Sequence, residues 1–281
     1  MRVLVTGAEG MLGSDVVRAT RLMNHEVLPV THEELDIRDA KAVEAAFVER
    51  YPHAVVNCAA WTDVDGAEDD PEGAMAVNRD GARNVAAAAA ALRVPVVLPS
   101  TDYVFDGSHG EPYIESDEAD PQSEYGRSKL AGEIATAQEN PAHFVVRTSW
   151  LFGVGGHNFV ETMLSLATEL GEVLVVMDQV GCPTYTGHLA EAILRLLDGD
   201  MYGTHHIAAA GECSWYEFAI EIFRAAKLDC RVMAATTDMV PRKAKRPAYS
   251  VLGTEREHPI LLPDWHEGLT TYLADRARTA A

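Results

Sequence analysis

The chain predicts an α/β fold built on a doubly wound parallel sheet, and three observations carry that expectation. Short β-branched runs alternate with amphipathic helical segments through residue 150, the order that gives parallel strands joined by crossover helices. A glycine-rich turn, Gly7-Ala-Glu-Gly10-Met-Leu-Gly13, stands between the first run and the first helical segment. The third run, Ala54-Val-Val-Asn-Cys-Ala-Ala60, places apolar residues at both odd and even positions, as a strand buried on both faces requires. Beyond residue 150 the alternation becomes irregular. Residues 1–150 are therefore expected to form a dinucleotide-binding domain. Residues 151–281 are expected to be mainly a substrate-binding region, with some segments returning to the first domain.

Taken in order, Arg2–Thr6 reads as the first strand, and Leu12, Val16, Val17 and Thr20 as the buried face of the first helix. Glycines at the turn between them let the backbone approach a ligand. The free N–H groups of the helix start suit a diphosphate. Glu26–Thr31 is the second strand, with Pro29 expected at a strand end or bulge. Thr31-His32 stand where an acidic ribose-binding residue is usual. Asp36 follows soon after, and Arg38 is the one candidate nearby for a 2′-phosphate, so NADPH and NADH both remain open.

A helix over 40–50 leads to the third strand, which ends in Ala59-Ala60-Trp61-Thr62-Asp63. Ligands of open α/β sheets bind at such strand ends; Trp61 reads equally well as core. The acidic run 63–72 is expected to be a solvated loop and helix start. Asn78 then enters a long helix whose alanines, 86–91, pack closely. The fourth strand, Val94–Thr101, ends in Ser100-Thr101-Asp102-Tyr103. A hydroxyl there lies where it can polarise a substrate carbonyl. His143–Thr148 is the fifth strand, followed by Ser149-Trp150.

Further on, helices are expected over 158–170, 187–197 and 264–277, with a strand over 173–177. Ser214-Trp-Tyr-Glu217 matches a capping box. His205 and His206 lack a third ligand at metal spacing and read as strand residues returning to the sheet. Arg242-Lys-Ala-Lys-Arg246 is the only basic cluster, either a solvated loop or a clamp on an anionic diphosphate.

Composition bounds the partners. With 47% hydrophobic residues in 281, the chain can bury a substantial core. A net charge of −20 argues against nucleic acid and anionic membrane. The acidity fits a well-hydrated surface or a host with high internal salt. No apolar run reaches the roughly 18–20 residues that span a bilayer. The chain opens directly on a strand, so no signal peptide is expected. Cys58, Cys182, Cys213 and Cys230 are scattered and read as thiols in a reducing cytoplasm rather than as disulfides or metal ligands.

Tyr125-Gly-Arg-Ser-Lys129 is the candidate for chemistry. Residues four apart share a helix face, so the Tyr125 hydroxyl and the Lys129 ammonium can meet. A fixed cation lowers a phenol from its usual value near about 10 and makes it a general acid.

The GxxGxxG spacing of Gly7–Gly13 resembles the extended short-chain dehydrogenase/reductase superfamily, whose fold is of Rossmann type. More specifically, the chain resembles the dTDP-4-dehydrorhamnose reductase family almost end to end. The blocks that carry the likeness are Gly7–Gly13, Ala59–Asp65, Ser100–Gly107, Tyr125–Glu133, Arg147–Trp150, Asp178–Thr184 and Arg246–Ser250. The resemblance implies an oxidoreductase that uses NADPH or NADH to reduce the 4-keto group of dTDP-4-dehydro-L-rhamnose to dTDP-L-rhamnose. It implies Tyr125 as proton donor, Lys129 as its cationic partner and Thr101 at the carbonyl. Cofactor contacts fall on Gly7, Gly10, Met11, Leu12, Gly13, Asp36, Ile37, Ala60, Trp61, Thr62, Tyr125 and Lys129. Thr101, Asp102 and Trp150 face the deoxysugar nucleotide, with Arg246 on its diphosphate.

A cytoplasmic monomer or homodimer is expected. Some members of this family dimerise around magnesium. Asp15 and Glu191 are the counterparts here, but the full acidic set is not recognisable and no metal is assigned. Among rivals, a 4,6-dehydratase would carry Asp-Glu after the strand-four threonine, where this chain has Asp102-Tyr103. An epimerase would retain oxidised cofactor. A regulatory subunit like that of methionine adenosyltransferase would not need Thr101, Tyr125 and Lys129 together.

Overall fold

The computed structural model describes residues 1–279. Strand and helix alternate through β1 (Arg2–Thr6), α1 (Met11–Leu22), β2 (Glu26–Val30), α2 (Ala40–Arg50) and β3 (Ala54–Asn57). Two short helices follow, α3 (Val64–Asp69) and α4 (Pro71–Met75), and then a π-helical turn over Ala76–Gly81. α5 (Ala82–Ala91), β4 (Val96–Thr101), α6 (Glu124–Glu139) and β5 (His143–Thr148) complete the regular part. After it come β6 (Leu151–Phe152), α7 (Phe159–Glu169), β7 (Glu172–Val176), β8 (Val180–Gly181) and β9 (Thr184–Tyr185). The chain ends with α8 (Thr186–Leu196), β10 (Gly203–His206), β11 (Cys213–Ser214), α9 (Trp215–Ala226), β12 (Arg231–Ala235) and α10 (Trp265–Thr279).

Six strands pair in parallel in the order β10-β5-β4-β3-β1-β2. From β1 the chain moves outward to β2 and then back across to β3. A crevice therefore opens at the carboxyl ends of β1 and β3, the switch point at which such sheets take ligands. One face of the sheet is covered by α1 and α8 through Val16, Leu189 and Ile193, the other by α2 and α5 through Phe47, Val85 and Ala89. A separate core forms around Phe152, Phe218, Trp265 and Tyr272, where α7, α9 and α10 meet.

Local sequence explains most boundaries. Asn158 caps α7, and Ser214 and Glu217 form the expected reciprocal box at α9. β10 places both His205 and His206 in the sheet, with His205 on the Met201 carbonyl and His206 on those of Tyr113 and Gly253. One expectation needs correction. Pro29 is not the terminal residue of β2 and makes no bulge: it stands one residue before the end, in unbroken register with Val5; β2 is an edge strand, where a missing N–H is tolerated. The acidic run is the expected solvated helix start, twice over: Asp63 caps α3 and Asp70 caps α4, accepting from Gly66 and Gly73. Among the described residues no helix is long and apolar enough to cross a membrane.

Candidate active site

The glycine turn forms the floor of the crevice. Gly7 has φ +61°, and a Cβ there would stand 2.7 Å from the Ala59 nitrogen. A Cβ on Gly13 would overlap the Gly7 carbonyl, so the turn, the helix and the β3 end are in direct backbone contact. Gly10 begins α1 with no side-chain cap, which leaves the first N–H groups, those of Met11, Leu12 and Gly13, pointing out of the helix. That cradle has the shape and dipole to hold a diphosphate.

In the connection between β2 and α2, Asp36 and Arg38 pair with each other (2.6 and 2.9 Å), and the guanidinium holds the Asp36 carboxyl down to about 2. Ile37 between them is buried, its side chain against Gly81, so it offers only backbone to the crevice. Trp61 is half-buried. Buried Asn78 accepts from the Trp61 N–H (2.8 Å), donates to its carbonyl (3.1 Å) and donates to Ser128 of α6 (2.9 Å). Asn78 thereby fastens the Ala60-Trp61-Thr62 segment to the helix carrying Tyr125. It sits in the π-helical turn, a local widening often found beside functional sites. The sequence shows only an asparagine at a helix entrance, with no local signal for this role.

Ser123 caps α6 by accepting from the Gly126 N–H (3.1 Å), which puts Tyr125 in the first turn. A Cβ on Gly126 would overlap the Tyr103 carbonyl, so the motif's glycine lets α6 press onto the end of β4. Tyr103 and Tyr125 meet edge to face, centroids 5.7 Å apart. Burial pushes the Tyr125 phenol up to about 12, and a hydrogen bond from Thr101 offsets part of that. Lys129 donates to the Pro99 carbonyl (2.7 Å). Burial lowers its ammonium to about 8 against the opposing pull of Glu133 and Cys58. The expected lowering of the tyrosine by the lysine is thus not what this structure has: Lys129 turns toward the sheet, and desolvation of Tyr125 dominates. Below them Glu133 is buried, bonded to Ser100 and paired with Arg147 at 2.8 Å.

The opposite wall comes from distant segments. Trp150 has φ +48° and stacks on Trp215 with centroids 3.5 Å apart and planes 4° from parallel. A Cβ on Gly181 would enter the Trp150 indole. Arg246 reaches Asp65 with both terminal nitrogens (2.7 and 3.0 Å), Ala244 N–H donates to the same carboxylate and Lys243 pairs with Asp69. The basic cluster is therefore strapped onto the acidic run, an arrangement neither of the two readings anticipated. A cleft of about 570 Å³ opens beside this strap, lined in part by Gln179, Arg242 and Arg246. Asp102 is fully buried between Thr101 and Ser250. Asp15 and Glu191 line a common cleft on another face, but Asp15 is engaged by Thr186 and Arg18 and Glu191 leans on Arg195.

A family model described as the RmlD substrate binding domain matches residues 1–278. The chain belongs to this family. The dTDP-4-dehydrorhamnose reductase of Sinorhizobium fredii is 40% identical over 281 residues, 95% of each chain. A crystal structure of the Clostridium acetobutylicum dTDP-4-dehydrorhamnose reductase superposes with a TM-score of 0.95 at 44% identity, covering 98% of this chain and 99% of that one. The Bacillus anthracis enzyme of the same name, solved in complex with NADP, gives a TM-score of 0.95 at 38% identity over the same shares. The expected fold and family both hold.

Proposed function

We propose that this protein reduces the 4-keto group of dTDP-4-dehydro-L-rhamnose, using NADPH or NADH, to give dTDP-L-rhamnose. The observation that carries the reading is the convergence of Tyr125, Thr101 and Lys129 at the carboxyl end of β4, beside the uncapped glycine turn. Residues 1–150 supply the cofactor side, and residues 151–281 most of the substrate side. Gly7, Gly10, Met11, Leu12 and Gly13 cradle the diphosphate. Asp36 and the Ile37 backbone meet the adenosine end, with Arg38 available to a 2′-phosphate, and Ala60-Trp61-Thr62 line the path to the nicotinamide.

The reduced nicotinamide supplies hydride to C4 of the sugar. Tyr125, kept neutral by burial, gives its proton to the oxygen as charge develops there, and Thr101 hydrogen-bonds to the same atom. Lys129, one helical turn away, is the cation that would offset the phenolate and hold the nicotinamide ribose, which it reaches only by leaving the Pro99 carbonyl. Trp150 faces the deoxysugar nucleotide and Arg246 its diphosphate. We also place the protein in the cytoplasm, as a monomer or homodimer; its four cysteines are unpaired.

The test is one assay of dTDP-4-keto-6-deoxy-L-lyxo-hexulose with NADPH or NADH, the product identified by NMR. Cofactor oxidation with appearance of dTDP-L-rhamnose is expected. No oxidation with this sugar, while a D-configured 4-keto-6-deoxy sugar is reduced, would reassign the substrate. No oxidation with either would remove the reductase reading.

A further inference from the structure

Thr101 has one hydroxyl hydrogen and two lone pairs, and its neighbours compete for them. One lone pair accepts the Tyr103 N–H at 3.2 Å. On its other side lies the Asp102 carboxyl, Oδ1 at 3.0 Å from Thr101 Oγ1, while Ser250 Oγ donates to Oδ2 at 2.6 Å. Asp102, at 1% exposure, is sealed from solvent together with Ser250.

The protonation of this carboxyl decides where the Thr101 hydrogen goes. An ionised carboxylate only accepts, so it draws the Thr101 hydrogen to itself and leaves nothing for a substrate oxygen. A neutral carboxyl donates into the second lone pair of Thr101 and releases that hydrogen to turn outward, toward the Tyr125 phenol and the substrate oxygen that would lie beside it. The heavy atoms are the same in both cases; only the second arrangement lets Thr101 act on a ketone. We propose that Asp102 is a positioning residue which, held as a neutral acid between Ser250 and Thr101, releases the Thr101 hydrogen for the keto oxygen. The proposal rests on the reductase reading above.

The surroundings favour the neutral form. Among the described residues no Lys, Arg or His makes an ion pair with Asp102. The titratable groups that feel its charge are Tyr103 on its own turn, Tyr125 from α6 and Cys182 from the β8–β9 connection, all of them acids. Burying a carboxylate among hydroxyls without a cation is costly, and burial pushes Asp102 up to about 7 against the pull of Ser250 and Thr101. Activity should therefore fall as pH rises through neutrality. A donor to the developing oxyanion is typically worth about a hundredfold or more. With Tyr125 still in place, at least about a tenfold fall is expected.

The experiment measures kcat and KM against pH for the wild type, Asp102→Asn and Ser250→Ala. An asparagine amide donates to Thr101 at every pH, so the ratio of kcat at about pH 8.5 to that at about pH 6 should rise at least about tenfold over wild type. Ser250→Ala removes a bond that favours the carboxylate and should move the wild-type fall to higher pH. An infrared spectrum of the wild-type protein should show a protonated-carboxyl band that titrates near neutrality and is missing from Asp102→Asn. The folded state raises this carboxyl above its unfolded value, so its contribution to stability is full at acid pH and is lost as pH climbs toward about 7. The Tm of Asp102→Asn should therefore gain on wild type across that range. An unchanged pH profile in both variants, or absence of the infrared band, overturns the Asp102 proposal alone. A titrating band in a protein that reduces no 4-keto sugar overturns the reductase reading, and the proposal with it.

Discussion

The two walls of the crevice are built by opposite means. The cofactor side is backbone: Gly7 in the left-handed region, Gly13 against the Gly7 carbonyl, and an uncapped helix start. The substrate side is side chain: Trp150 stacked on Trp215, and Arg246 locked to Asp65. A wall made of backbone tolerates almost no substitution at its glycines but takes any residue elsewhere whose side chain points away. A wall made of side chains brought from distant segments can be rebuilt residue by residue. The first suits a cofactor shared by many reactions, the second a substrate that differs among them.

The contrast can be broken at graded points. Tyr125 belongs to both walls. Tyr125→Phe should lower kcat by about a hundredfold or more with little change in the affinity for either ligand; near-wild-type turnover would remove the proton-donor role. On the cofactor side, Gly7→Ala forces a Cβ onto Ala59 and a residue into the left-handed region. A loss of about 2 kcal/mol in stability and more than about tenfold weaker NADPH binding are expected, read by thermal melting and titration. Wild-type cofactor affinity would show that the turn is not the diphosphate cradle.

On the substrate side, Asp65→Asn removes the charge that holds Arg246. The expected cost is about 1–2 kcal/mol, with a rise in KM for the sugar nucleotide and an unchanged Kd for NADPH. Smallest is Trp215→Leu. Losing the stack on Trp150 should cost about 1 kcal/mol, seen as a several-fold rise in KM and as a changed near-ultraviolet circular dichroism band. If either substrate-side change weakened the cofactor as much as the sugar, the two walls would not be separable.

The same contrast explains what could be read from the chain. Gly7 and Gly13 announce themselves, because only glycine permits that turn and its place between strand and helix is visible locally. Thr101 at a strand end and Tyr125 four residues before Lys129 are likewise short-range patterns. Trp150 stands out only through family resemblance, and Trp215 only as part of the capping box Ser214–Glu217. Their stack joins residues far apart in sequence, and no local spacing encodes it. Asn78 and the strap of Arg246 on Asp65 were hidden for the same reason. The acidic run and the basic cluster each look like a solvated segment when taken alone, although each is the other's partner. The spacing of Tyr125 and Lys129 does not disclose that the lysine points to the sheet, because a shared helix face does not settle which way a long flexible stem turns.

Pro29, the last residue but one of β2, has a consequence outside catalysis. A parallel sheet ends in a row of unpaired amides and carbonyls that a second chain can copy, and copying is how soluble proteins begin to polymerise. Along that margin Pro29 lacks the amide needed for one rung. The chain thereby carries, within the strand that opens its nucleotide fold, a stop against growth of the sheet from one molecule into the next.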